Sequence, residues 1–159
     1  MSPSSALVAV VAFALMEPLT AATHRWIMHG IGQALHRSHH RRRRDGRVEA
    51  NDWYPVMFAA VVNLGFWAGF NVDGLSTLVP VGVGCTLYGA AYALVHDVYI
   101  HRRLGGFGGR RIEPLERLAD AHRIHHLYGA APYGMLAPVV PADLRARAGG
   151  TTRDPLARA

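Results

Sequence analysis

Apolar residues in this chain do not alternate with polar ones at a helical or strand period. They come in three near-continuous runs. The first covers about Ser4–Ala22 and is broken only by Glu17 and Pro18. The second is WYPVMFAAVVNLGFWAGF, Trp53–Phe70, and the third is LSTLVPVGVGCTLYGAAYALV, Leu75–Val95; neither holds a charge. A bilayer span needs ~20 mainly apolar residues, and three such runs in 159 residues leave little polar surface to cover them as buried helices of a soluble protein. The runs therefore predict three membrane spans. No Lys or Arg precedes Arg25, so the first run lacks the basic flank of a signal peptide and is expected to be a span.

Between and after the runs the polar segments are short. Gly105-Gly106 and Gly108-Gly109 mark a loop. Pro114 suits a first helical position, and Glu113 and Glu116 suit a first turn, which predicts a cytoplasmic helix over about Glu113–Leu127. Residues 132–144, PYGMLAPVVPADL, are apolar but carry three prolines. They read as a membrane-surface segment or a lid over a site, with a fourth span less favoured. The expected fold is thus all-α: an integral membrane helical bundle of three, at most four, spans with short helices beyond them. One membrane-embedded domain is expected over residues 1–145, with 146–159 a flexible cytoplasmic tail.

Charge orients the bundle. All seventeen basic residues are arginines, and the formal net charge is +6. Seven lie at positions 25–47 and ten at 102–158, while residues 1–24 and the loop 71–76 have none. Basic loops stay cytoplasmic, so both arginine-bearing segments belong on the cytoplasmic side. The run Arg41, Arg42, Arg43, Arg44 is explained by topology and lipid headgroups, and the three spans argue against a nucleic-acid partner despite the basic charge. Cys85 is the single cysteine, which excludes an internal disulfide and a cysteine-based zinc finger.

The ten histidines change the picture most. They fall in four blocks: His24 and His29; His36, His39 and His40; His96 and His101; His122, His125 and His126. The order is an internal repeat of apolar run, pair and triplet. On an α-helix, positions i, i+3 and i+4 share a face, so each triplet projects three imidazoles together. Such a face is a poor core and a good ligand set. Five residues turn an α-helix by ~140°, so the members of each pair do not share a face. They converge on one ion only where a helix ends or bulges; otherwise each serves a different ion. Every block lies at or beyond the cytoplasmic end of a run, which gathers all ten rings in one layer. Imidazole suits zinc, copper, iron and nickel. A structural zinc site closes at four ligands; ten histidines fit two metals. Two histidine-bound irons beside a lipid phase point to oxygen activation against an apolar substrate. The Glu-x-x-His motifs of carboxylate-bridged di-iron bundles are absent.

HRWIMHG (24–30), HRSHH (36–40), EANDWYPVMFA (49–59), YGAAYALVHDVYIHRR (88–103) and AHRIHH (121–126) resemble, in order and spacing, the fatty acid hydroxylase superfamily of histidine-box membrane oxygenases. More narrowly they look like the bacterial β-carotene hydroxylases, over about residues 15–140. The resemblance implies a non-haem di-iron monooxygenase of the bacterial inner membrane. Its reaction would insert one oxygen atom from O2 at the 3 position of a β-ionone ring, taking β-carotene to β-cryptoxanthin and zeaxanthin. It further implies two Fe ions, replaceable by Zn, with all ten histidines as ligands. Electrons would come from a ferredoxin and NAD(P)H system, and the carotenoid from the lipid phase. An oligomer is compatible with it.

Metal-bound histidines usually donate their second N–H to an acceptor. Glu17, Asp52, Asp97 and Asp120 are the candidate acceptors, with Asn51 as a water-holding partner. Glu17 lies seven residues before His24, on the same helical face, and an ionisable group within a span is often functional. Small residues at Gly65, Gly69, Gly82, Gly84 and Gly89 suit close helix packing or a polyene equally. Trp26, Trp53, Tyr54, Tyr92 and Tyr99 suit an interfacial belt or a ring pocket equally. The rival enzymes are histidine-box oxygenases acting on a sterol or a fatty acyl chain, and a carotenoid ketolase. A membrane metal transporter is the remote alternative, since its ligands should line a path across the bilayer.

Overall fold

The computed structural model describes residues 2–41, 48–103, 107 and 110–156. Arg42, Arg43 and Arg44, together with the glycine pairs Gly105-Gly106 and Gly108-Gly109, lie outside them. Every regular element among the described residues is helical. Helix α1 (Pro3–Thr23) continues directly into a π-helical segment, His24–Ile31. Helix α2 (Gln33–His40) follows, then a short 3-10 turn (Ala50–Asp52) and α3 (Trp53–Asn71). Helix α4 (Leu78–Ala93) runs on into a second π-helical segment, Leu94–Ile100. Helices α5 (Glu113–Tyr128) and α6 (Ala142–Gly149) complete the chain.

Among the described residues, three continuous helical stretches are long and apolar enough to cross a membrane: Pro3–Ile31, Ala50–Asn71 and Leu78–Ile100. The first runs unbroken through Glu17 and Pro18. The third starts at Leu78 because residues 75–77 form a turn before it. Outward faces carry large apolar side chains, among them Leu7, Leu15, Leu64, Trp67 and Phe70, and α3 has no buried residue at all. A face of that kind is at home against lipid.

Helix α4 is the middle member, packed against α1 on one side and α3 on the other. Its approach to α1 depends on Gly84. A Cβ there would run into the carbonyl oxygen of Ala9 and the methyl of Ala12, so any side chain would force the backbones apart. Small residues let membrane helices come this close and gain dispersion contacts in place of a hydrophobic driving force.

Beyond the spans sits a cap. Val95, Tyr99 and Ile100 of the second π-segment pack with Met135, Leu115 and Leu118. Ile124 of α5 packs with Leu144 and Ala148 of α6. Residues 132–141 form no helix, so they are not a fourth span; Pro132, Pro138 and Pro141 deny them the backbone donors a helix needs. They make a non-helical strap. Helix α6 spans the boundary between 145 and 146, and its Ala148 is buried with Ile124 of α5.

Candidate metal centre

Both histidine pairs sit on π-helical turns. The Gly32 N–H donates to the Ile27 carbonyl (2.8 Å), and the His101 N–H to the His96 carbonyl (2.8 Å), each five residues back. Bonding from i to i+5 widens the turn and returns residue i+5 above residue i. The rings of His24 and His29 are consequently 5.0 Å apart, and those of His96 and His101 4.5 Å. Of the two arrangements open for the pairs, the bulge is the one observed. The triplets behave as their α-helical spacing predicts, on α2 and α5.

Nine of the ten histidines form two groups whose ligand atoms lie within 4.8 Å of one another. His24, His29, His36, His40 and His125 make the first; His39, His96, His101 and His122 make the second. Each triplet is divided: His36 and His40 go one way and His39 the other, and His125 separates from His122. His126 lies between the groups, its ring stacked on His40 (4.3 Å) and its Nε2 2.9 Å from that of His122. Seven of the ten are buried, His125 completely, and His29, His40 and His101 are half-buried.

Tautomers follow from the outer hydrogen bonds. His24 Nδ1 lies 3.0 Å from the Tyr133 carbonyl, and His125 Nδ1 2.6 Å from that of Ala130. A carbonyl only accepts, so both Nδ1 atoms carry hydrogen. His36 Nδ1 donates to Asn51 Oδ1 (2.7 Å) and His39 Nδ1 to Glu49 Oε2 (3.1 Å). Gly129 ends α5 with φ +61°, a left-handed conformation that glycine adopts without strain; the chain then turns to bring the Ala130 carbonyl to His125.

With Nδ1 protonated, Nε2 of a neutral ring is a bare lone pair. Yet the lone-pair-bearing Nε2 atoms of His24 and His36 are 3.1 Å apart, and the Nε2 atoms of His40 and His29 crowd the same space, His40 at 3.0 Å from His36 and both at 3.1 Å from His125. The rings do not relieve this by taking up protons. Burial first, and the neighbouring imidazoles after it, push His36 down to about 4 and His40 down to about 2. Burial likewise holds His101, His122, His125 and His126 well below the ordinary imidazole range. Converging neutral lone pairs repel one another and attract a cation. Two nitrogens each ~2.1 Å from one ion and at right angles would lie ~3.0 Å apart, which is the spacing seen. The donor set fits a metal of the imidazole-binding class.

The expected orienting groups are distributed unevenly. Asn51 reaches His36 as described. Asp97 Oδ1 is 3.3 Å from Nδ1 of His96, an atom that is buried without a hydrogen-bond partner. Three others have partners elsewhere. Asp52 takes the Arg103 guanidinium (2.6 Å) and the Glu49 N–H (2.9 Å). Asp120 pairs with Arg123 (3.2 Å) and Arg145 (3.8 Å) at the surface of α5. Glu17 accepts from Tyr88 and from the backbone of the strap. Sequence reasoning missed Glu49 and Arg103. Arg103 also reaches Asp97 (3.0 Å) and so ties the Ala50–Asp52 turn to the second π-segment. Glu49 has a signal in hindsight: it stands beside Asn51, in the short segment that a His-bearing helix must pack against.

A three-span helical bundle with a buried polyhistidine centre at one end defines a membrane-bound, metal-binding class of protein. A model of the family "Fatty acid hydroxylase" matches residues 9–143, and the chain belongs to that family. It is an enzyme, an oxygenase. It is 38% identical over 146 residues to the beta-carotene hydroxylase of Pseudescherichia vulneris, covering 89% of this chain and 81% of that protein. It is 39% identical over 161 residues to that of Pantoea ananas, covering 94% and 90%. A chloroplastic beta-carotene 3-hydroxylase of Haematococcus lacustris is 41% identical over 140 residues, covering 81% of this chain and 42% of the longer relative. No solved structure matches the chain.

Proposed function

We propose that this chain hydroxylates the β-ionone ring of a carotenoid at the 3 position, with two irons held by its histidines. The observation that carries the metal reading is the pair of unprotonated Nε2 atoms of His24 and His36 facing each other at 3.1 Å, with the Nε2 atoms of His29, His40 and His125 gathered round them. His24, His29, His36, His40 and His125 would hold one ion, and His39, His96, His101 and His122 the other, with His126 at hand between them. The named relatives support the substrate class.

A C–H bond of a hydrocarbon ring offers no acid, base or leaving group to a side chain, so a cofactor must carry the hard step. Bound iron would supply the activation of O2. One oxygen atom enters the C–H bond, and the other leaves as water with two electrons and two protons from a ferredoxin and NAD(P)H system. The protein's part is to hold, orient and dry the site. Asn51, Glu49 and the carbonyls of Tyr133 and Ala130 fix ring tautomers, so that Nε2 points inward with its lone pair free. Tyr133 lays its ring against His24, His29 and His125 at 5.5–5.6 Å and keeps water off that side.

The substrate route follows from the outer surface. An open apolar groove of about 440 Å³ runs along α1 beside α4, lined by Leu7, Val11, Leu15, Leu19, Val81 and Cys85. From Leu7 to Leu19 an α-helix rises ~18 Å, which suits a stretch of polyene lying in lipid with its ring directed at the histidines. The arginine-bearing, histidine-bearing side faces the cytoplasm of the inner membrane. The hydroxylase domain, expected to end at 145, runs on through α6, and the tail follows it.

The decisive experiment combines metal analysis of purified protein with pigment analysis of β-carotene-producing cells that express it. Two irons per chain and accumulation of β-cryptoxanthin and zeaxanthin are expected. A metal-bearing protein that leaves β-carotene unchanged would refute the substrate, and a protein without metal would refute the centre.

A further inference from the structure

The strap after α5 is fastened at a point inside the first span. The Glu17 carboxylate accepts three hydrogen bonds: from the Tyr88 hydroxyl on Oε2 (2.6 Å), from the Leu136 N–H on Oε2 (3.0 Å) and from the Ala137 N–H on Oε1 (2.9 Å). Two of these donors are strap backbone. A carboxyl within a span is costly to keep, and here convergent donors from α4 and the strap hold it. Three residues before Leu136, the strap passes over the histidines. The Tyr133 carbonyl accepts the Nδ1 hydrogen of His24, and the Tyr133 ring rests on His24, His29 and His125. All three rings belong to the first imidazole group; the second group's histidines are not among the partners of Tyr133.

We propose that Glu17 is a positioning residue that governs the first metal position through the strap. It fixes Leu136 and Ala137, the strap holds the Tyr133 carbonyl on His24, and that bond keeps the His24 lone pair aimed inward. Glu17 thus acts first on the ion of the first group, without touching an imidazole; the strap's contact with the second π-segment, through Met135 in the cluster of Val95, Tyr99 and Ile100, is apolar. This rests on the metal-centre reading only in that the first group binds an ion.

Two substitutions break the fastening by different means. Glu17→Gln replaces an acceptor oxygen with an amide N–H, which opposes a strap N–H. Gly134→Ala leaves the carboxylate intact, but its methyl would lie 2.5 Å from Glu17 Oε1 and push it off the strap. It sits outside the spans and decides the matter if Glu17→Gln fails to accumulate. Detergent-solubilised full-length protein is titrated with Co2+, followed by the visible spectrum, and stripped with a chelator. Backbone hydrogen exchange of residues 134–137 is read on the same samples without metal. The parent should bind two Co2+ ions. Each variant should hold one ion as the parent does and the other at least ~10-fold more weakly, the low end for loss of an orienting contact, with faster exchange at Leu136 and Ala137. Variants that hold both ions as tightly as the parent, or lose both to the same degree, overturn the proposal while the metal centre stands. A parent that binds no Co2+ overturns the metal centre itself and the proposal with it.

Discussion

His96 and His101 stand five residues apart in the chain, and their rings lie 4.5 Å apart on one side of a single π-helical turn. An α-helix would swing the second ring ~140° away from the first. The same device brings His24 to His29. Twice, a span widens its last turn at the point where it leaves the apolar layer, and each widening adds two imidazoles to a centre that the triplets of α2 and α5 complete.

Removing a histidine from either group should abolish turnover. His39→Ala takes a ligand from one group and His125→Ala from the other. Each variant should carry about one metal ion fewer per chain and yield no hydroxylated carotenoid in pigment extracts. Unchanged metal content in His125→Ala would contradict its assignment.

Loss of an orienting acceptor should weaken the centre without emptying it. Asn51→Ala frees His36 Nδ1 and Glu49→Ala frees His39 Nδ1. Each should reduce metal affinity or activity ~10–100-fold, as measured by competition with a chelator. Asp120→Asn, whose parent carboxylate pairs with Arg123 and Arg145, should leave both unchanged.

Acid should destabilise the metal-free protein. His36 is held at about 4 and His40 at about 2 in the folded chain, against ~6.5 for an unfolded imidazole. Below ~6.5 the unfolded chain therefore binds more protons than the folded one, and stability falls with pH. The contribution of His36 is complete above ~6.5 and is lost as pH drops toward about 4. Melting of apo-protein in detergent, followed by tryptophan fluorescence, should shift to lower temperature across that window. A melting temperature independent of pH between 7 and about 4 would contradict the burial of these rings as neutral groups.

Widening the α1–α4 contact should cost stability. Gly84→Val places three carbons where the Ala9 carbonyl and Ala12 methyl already sit. Overpacking of this kind costs ~1–3 kcal/mol or more. The expected outcome is a lower melting temperature and lower accumulation in membranes, and an unchanged melting temperature would contradict the close approach of the two helices at Gly84.

Much of this was legible in the residues alone, because the physics involved is local. Uninterrupted apolar runs of span length declare membrane helices, since a helix satisfies its own backbone in lipid and barrel strands would alternate apolar with polar residues. His-x-x-His-His on an α-helix declares a shared face, because 3.6 residues per turn is a property of the backbone. The three prolines of 132–144 speak against a fourth span, and the structure makes residues 132–141 the strap over the first imidazole group. What no local pattern carries is convergence. His39 and His40 are neighbours in sequence yet serve different groups, and so do His122 and His125; which partner each meets depends on how α2 and α5 lie against the two π-segments. The choice of Glu49 over Asp52 and Asp120 as an acceptor, and the bond from Glu17 to a strap 119 residues away, depend likewise on packing between distant elements. Helical periodicity sets which side chains share a face, and only the docking of helices sets what that face meets.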